Sequence, residues 1–282
     1  LVVALIVTVS VWLIAPQNDV DSLLQRLGRP GNDRWLAAMN LAAVLHEPGN
    51  EQLKRDPALA KRLADLLRKE IETGQDDGDS INLRVFLCRV LGEFHIAEPL
   101  PVLVEAARPR ETAGATRVRC AAIEAAAVLA SHVGPDELQA NDALLDCLCN
   151  AAGDRQHTVR QSAAFTLGVV GGDRAQTVLV TMLADEHPEV RYNAATGLAR
   201  HGNIAAADVL CEMLDPKRAA SGDARERLIP LNALRAVEKL AAANPRADLE
   251  PLRQAVAKLS NVESGVEIRV KATDVLRQLK RQ

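Results

Sequence analysis

Apolar residues in this chain recur at steps of three and four, stop at a glycine or a polar turn, and then resume. The clearest stretch runs from Asp154 to Pro216. Asp154–Asp185 (DRQHTVRQSAAFTLGVVGGDRAQTVLVTMLAD) superimposes on Asp185–Pro216 (DEHPEVRYNAATGLARHGNIAAADVLCEMLDP) after a shift of 31 residues. Val159-Arg160 then falls on Val190-Arg191, Ala163-Ala164 on Ala194-Ala195, and Leu167 on Leu198. Gly171 meets Gly202, and Met182-Leu183 meets Met213-Leu214. Each copy predicts one helix with a single apolar face, a glycine-marked break, and a second such helix. No stretch alternates Val, Ile, Thr and Tyr as a half-buried strand would. The predicted class is all-α.

The first-helix pattern recurs less cleanly elsewhere. Its arginine position is filled at Arg34, Arg84, Arg119, Arg160, Arg191 and Arg269, at spacings of 31 to 50 residues between neighbouring repeats. In a unit beginning near Leu228, Pro230 takes the equivalent place, where a helix start tolerates proline. The longer connections, Gly74–Ser80, Arg108–Thr116 and Pro216–Arg227, are polar and punctuated by Gly or Pro. About seven helical hairpins result, the last reduced to one helix at Val266–Lys280. A single short helix pair cannot bury its apolar faces, so neighbouring pairs must supply the missing surface. Stacking into an α-solenoid follows.

The string Val-Arg, two residues, Ala-Ala, two residues, Leu resembles a HEAT repeat of the short bacterial type, also found in phycobilisome lyases. That family carries an Asp six residues before the Arg. Asp154/Arg160 and Asp185/Arg191 match it, and Glu263/Arg269 matches with Glu in place of Asp; these are expected structural acid–arginine pairs. The resemblance covers residues 19–282. It implies a solenoid whose second helices line a concave face, and it says little about activity, since one scaffold hosts many functions.

Residues 1–15 (LVVALIVTVSVWLIA) carry no charge and end at Pro16-Gln17-Asn18-Asp19. Fifteen helical residues reach about 22 Å, short of a hydrocarbon core of about 30 Å. The chain opens on Leu1 without an initiator Met, and Trp12 suits an interfacial belt. The expectation is an apolar N-terminal helix acting as a truncated single-pass anchor, which makes the protein membrane-associated. The competing readings are a buried first solenoid helix and a signal-peptide core, though Ile14-Ala15-Pro16 is a poor cleavage site. The lack of Lys or Arg between Leu1 and Gln25 disfavours a cytoplasmic flank, whereas five scattered cysteines favour a reducing compartment. The side of the membrane stays open.

Charge and composition narrow the function. The 34 basic and 37 acidic residues are mixed along the chain, giving a net charge of −3, without the basic excess of a nucleic-acid binder. Cys88, Cys120, Cys147, Cys149 and Cys211 lie inside apolar helical stretches and fit neither a disulfide framework nor a zinc site. Neither metal nor cofactor is expected. Asp76-Asp77-Gly78-Asp79 resembles part of a calcium loop, but its glycine is misplaced and the distal Glu is missing. His46-Glu47 is the one His-Glu pair; deoxyhypusine hydroxylase, a HEAT-repeat enzyme that binds iron, has several. His157 and His187 read as surface histidines in inter-repeat turns.

The second helices carry the positive clue. Aligning them brings Glu105, Asp146, Thr181, Glu212 and Gln254 into one row, with Pro101, Asp142, Thr177, Asp208 and Glu250 one turn earlier. Six of these ten are acidic and none is basic, although Asp142, Asp208 and Glu250 sit in first turns, where the helix dipole favours acids anyway. The leading reading is therefore a non-catalytic, membrane-tethered scaffold whose acidic groove holds a basic or helical protein partner. Two alternatives stay open. One is a chromophore-lyase-like or other modifying enzyme using Cys147, Cys149 or Cys211. The other is nucleic-acid binding along the Arg column, which lacks interleaved aromatics for stacking.

Overall fold

The structure, a computed structural model, describes residues 20–31, 33–112, 114–260 and 265–279. Among the described residues the regular structure is entirely helical. No helix there is long and apolar enough to cross a membrane. The expectation of a single-pass, membrane-associated protein is corrected on this finding. Residues 1–15, on which it rested, lie outside the described residues. The chain divides into two compact units, residues 1–138 and 139–282.

In the first unit, α1 (Val20–Gly28) packs on α2 (Arg34–His46), and a short α3 (Glu51–Lys54) leads to α4 (Pro57–Thr73). Next come α5 (Gly78–Gly92), α6 (Leu100–Ala106) and α7 (Ala115–Val133). The first helices α2, α5 and α7 lie side by side, and the second helices α4 and α6 form a row against them. Leu41, Leu63, Leu87 and Ile123 are essentially fully buried between these rows, each worth about 1.5–3 kcal/mol of transfer free energy. Local chemistry starts the helices where the polar gaps predicted. The Asp77 carboxylate accepts from the Asp79 and Ser80 N–H groups at 2.9 and 3.1 Å, so the calcium-like acidic run is a helix cap.

A short α8 (Pro135–Gln139) spans the boundary. The second unit then runs α9 (Asp142–Ala152), α10 (His157–Val170), α11 (Gly172–Met182), α12 (Pro188–Arg200), α13 (Ala207–Met213), α14 (Pro216–Ala219), α15 (Ala224–Ala243), α16 (Glu250–Ser260) and α17 (Val266–Leu279). The first helices α10, α12, α15 and α17 pack in sequence, and the second helices flank them. The residues matched by the 31-residue shift are the core: Val159, Val190, Ala163, Ala194, Leu167 and Leu198 are all 0% exposed. Gly171 and Gly202 hold φ of 72° and 74°, the left-handed backbone that ends a helix without a Cβ clash.

One register is corrected. Helix α15 begins at Ala224, which puts Pro230 inside it and buried, not at its start. The arginine position of that unit belongs to Arg227, the fourth residue of its helix, as Arg160 and Arg191 are of theirs. Arg227 Nη1 donates to the Ser221 and Gly222 carbonyls, six and five residues back. Arg160 and Arg191 make the same pair of bonds.

Candidate functional site

Arg160 and Arg191 of the arginine column are engaged within the chain, with a partner offset that spacing alone did not reveal. From the acid six residues back, Arg160 takes the main-chain carbonyl of Asp154 at 3.0 Å. Its carboxylate partner is Asp185 of the following repeat, gripped in a two-pronged contact at 2.7 and 2.9 Å. This fork, with Asp185 also accepting from the His187 N–H, holds the Asp185 carboxyl below the usual carboxylate range. Arg191 binds the Asp185 carbonyl at 2.8 Å, but the following repeat offers Ser221 where an acid would stand. It turns instead to Glu212 on α13, at 2.6 Å. Glu263 lies outside the described residues, so the Glu263/Arg269 pair is not described.

That substitution draws Glu212 out of the acidic row. Burial opposes its charge, yet hydrogen bonds from Arg191 and the Tyr192 hydroxyl outweigh burial and hold its carboxyl below the ordinary range. Tyr192 Oη donates to Glu212 at 2.8 Å and accepts from Arg218 at 3.0 Å. Burial, then that carboxylate, push the phenol up to about 12. The other acids are engaged too. Asp146 pairs with Arg174, which also lies 4.0 Å from Asp142. Glu105 meets Arg68 at 3.3 Å, and Glu250 meets Arg253 at 2.6 Å and Gln254 at 2.9 Å. The Thr177 and Thr181 hydroxyls donate to carbonyls of their own helix. Asp208 stands exposed on α13. The row exists as a surface of second helices, with most of its charge answered from within the chain.

A further concavity of the second unit lies on the first-helix layer. A cleft of about 690 Å³ is walled by α10, α12 and α15. Its geometry begins with two glycines. Helices α10 and α12 approach so closely at Gly168 and Gly197 that a Cβ on Gly168 would sit 2.6 Å from the Gly197 Cα. Both glycines are buried at this crossing and line the base of the cleft, and Phe165, 42% exposed, stands beside it. On α12 the wall carries Asn193, Thr196 and Arg200 around Gly197. On α15 it carries Asn232, Arg235 and Lys239 around Ala236. Both sets follow the i, i+3, i+4, i+7 spacing of one helix face. The signal lies in the first helices, outside the second-helix row of acids.

The remaining candidates are weaker. Burial pushes the Cys88 thiol up to about 12 and raises that of Cys211 as well, away from thiolate reactivity. Cys147 and Cys149 lie part-buried on α9. The rings of His157 and His187 stack 4.2 Å apart, and those of His95 and His132 4.4 Å apart. Among the described residues no group of three or more His, Cys, Asp or Glu is arranged to hold a metal.

Comparison with known proteins agrees with this architecture. The family model of HEAT repeats matches residues 141–229. The chain is similar in structure to the Escherichia coli protein YibA, at 18% identity and a TM-score of 0.53, covering 94% of this chain and 83% of that one. It is similar to importin beta at 14% identity and a TM-score of 0.69, covering 94% of this chain but 37% of importin beta. A HEAT-like repeat protein of the archaeon Thermococcus onnurineus matches at 15% identity and a TM-score of 0.55, covering 93% and 97% of the two chains. No curated protein sequence matches the chain. These likenesses carry the fold; they do not reach the phycobilisome-lyase type.

Proposed function

Starting from HEAT repeats at residues 141–229, we propose that the chain is a non-catalytic scaffold that holds a protein partner along the exposed faces of its stacked helix pairs. The observation that carries this reading is the cleft of about 690 Å³ walled by three successive first helices, with glycines in its floor and exposed side chains on its walls. Such a surface offers shape and charge for recognition. The raised thiol of Cys211 weighs against its use as the nucleophile of a modifying enzyme. Arg160 and Arg191, closed onto Asp185 and Glu212, weigh against an Arg column reading phosphates.

The test is site-specific photo-crosslinking with the full chain in a native extract, the crosslinker standing at Asn232 on the first-helix layer or at Thr177 on the second. The expected result is a discrete protein adduct from at least one position, suppressed by excess unlabelled chain. Absence of an adduct at both positions, or salt-sensitive retention of the chain on duplex DNA as its main interaction, overturns the proposal.

A further inference from the structure

We propose that the first-helix cleft between α12 and α15 binds an acidic segment of a protein partner, anchored by an apolar side chain seated on the glycine floor. This rests on the scaffold reading and adds the place and the chemistry of the contact. Charge is the first argument. Arg200 ends α12, and Arg235 and Lys239 lie on the facing wall of α15; all three are exposed. Among the described residues none of the three has a hydrogen-bond or ion-pair partner. Elsewhere in the same unit Arg160, Arg174, Arg191 and Arg218 each close on a carboxylate.

The acids that line the cleft do not change this balance. Glu226 is taken by Arg218 at 2.5 Å, and Arg218 is braced by the Tyr192 hydroxyl. Glu189, in the first turn of α12, is the other lining carboxylate. Three open cations against one open carboxylate leave the cleft positive in a chain whose net charge is −3. A chain of that overall sign gains nothing generic from anions; the attraction is local to this cleft.

Shape is the second argument. The two walls run in register for seven residues, about 10 Å along the helix axes, enough for three or four residues of extended chain. Phe165, Ile229 and Ala236 line the cleft with apolar surface, and no side chain rises from Gly168 and Gly197 at its base. The Asn232 carboxamide, both donor and acceptor, faces the same space and suits a peptide main chain.

The experiment is selection from a random short-peptide library on the immobilised full chain. It is repeated on Arg200→Glu/Arg235→Glu/Lys239→Glu, on the neutral Gln triple variant, and on Asp146→Lys/Asp208→Lys/Glu212→Lys. Circular dichroism melting confirms that each variant folds. Enriched peptides should pair Asp or Glu with a large apolar residue. Their binding should fall on the order of tenfold per charge removed, and more with reversal than with neutralisation. Phe165→Ser should weaken the same peptides, and added salt should weaken them progressively.

The cleft assignment is overturned if enriched peptides lack acids, if they bind the triple variants unchanged, or if a short DNA duplex displaces them with equal affinity. Peptides lost only in the second-helix variant would overturn the cleft while leaving the scaffold standing. Enrichment of nothing would overturn both.

Discussion

Two rows of charge in the second unit are treated in opposite ways. On the second helices, acids that the sequence places in one row are answered inside the chain: Asp146 by Arg174, Glu212 by Arg191, Glu250 by Arg253. On the first helices, Arg200, Arg235 and Lys239 stand open around a glycine-floored cleft. A row of like charges in sequence is therefore not yet a surface potential, because a solenoid brings the neighbouring repeat's side chains alongside it. What counts is the charge left after the repeats have paired with one another.

Substitutions can break this contrast, and the largest effect should come from the cleft floor. Gly168→Val pushes three side-chain carbons into a backbone contact already too close for one, at a cost of about 3 kcal/mol. A Cβ at Gly78, by comparison, meets nothing within 4 Å, so Gly78→Ala should be neutral or slightly stabilising. Urea midpoints measure both, and equal midpoints for Gly168→Val and the parent would show that the close approach constrains nothing.

Next comes Asp185→Asn, which breaks the fork to Arg160 and should cost about 1–2 kcal/mol. The Asp185 carboxyl titrates below the ordinary range when folded, so its contribution is present in full above about pH 4 and fades as pH falls through the folded value. The stability gap between parent and Asp185→Asn should accordingly shrink on acidification, and a constant gap from pH 7 to pH 3 would refute the ion pair as its source.

Smaller still is the second-helix row. Asp146→Asn, at an exposed pair, should leave the urea midpoint within error. Smallest of all in stability should be Arg200→Gln and Arg235→Gln, which have no intrachain partner to lose. A clear destabilisation by either would mean that these cations serve the fold.

The fold was legible because helical hairpins write their period into every repeat: Val159, Ala163 and Leu167 reappear as Val190, Ala194 and Leu198, and all are buried. The arginine positions were legible, but not their partners. Spacing pointed Arg160 to the acid within its own repeat, while the structure gives it the acid of the following one. That contact depends on how repeats stack, which no linear spacing states. Pro230 misled for a related reason. Proline favours helix starts, yet Asp223, accepting from the Arg225 N–H at 2.9 Å, starts α15 six residues after Lys217 and well ahead of the proline. The cleft escaped because its chemistry is split between two helices 39 residues apart, Asn193 and Asn232 marking the same step of each.

The offset of the arginine fork gives the array a grammar. The repeats that open at Asp154 and Asp185 each carry a socket, the arginine, and a plug, the leading aspartate, and Asp185 plugs the socket of the repeat before it. A further 31-residue module spliced in at Asp185 would bring both halves and extend the ladder without leaving a loose end. The sentence must still end somewhere. Where the next repeat opens on Ser221 instead of an acid, Glu212 is borrowed from the second helix as a full stop. Growth of such an array is thus permitted at one seam and penalised at the other.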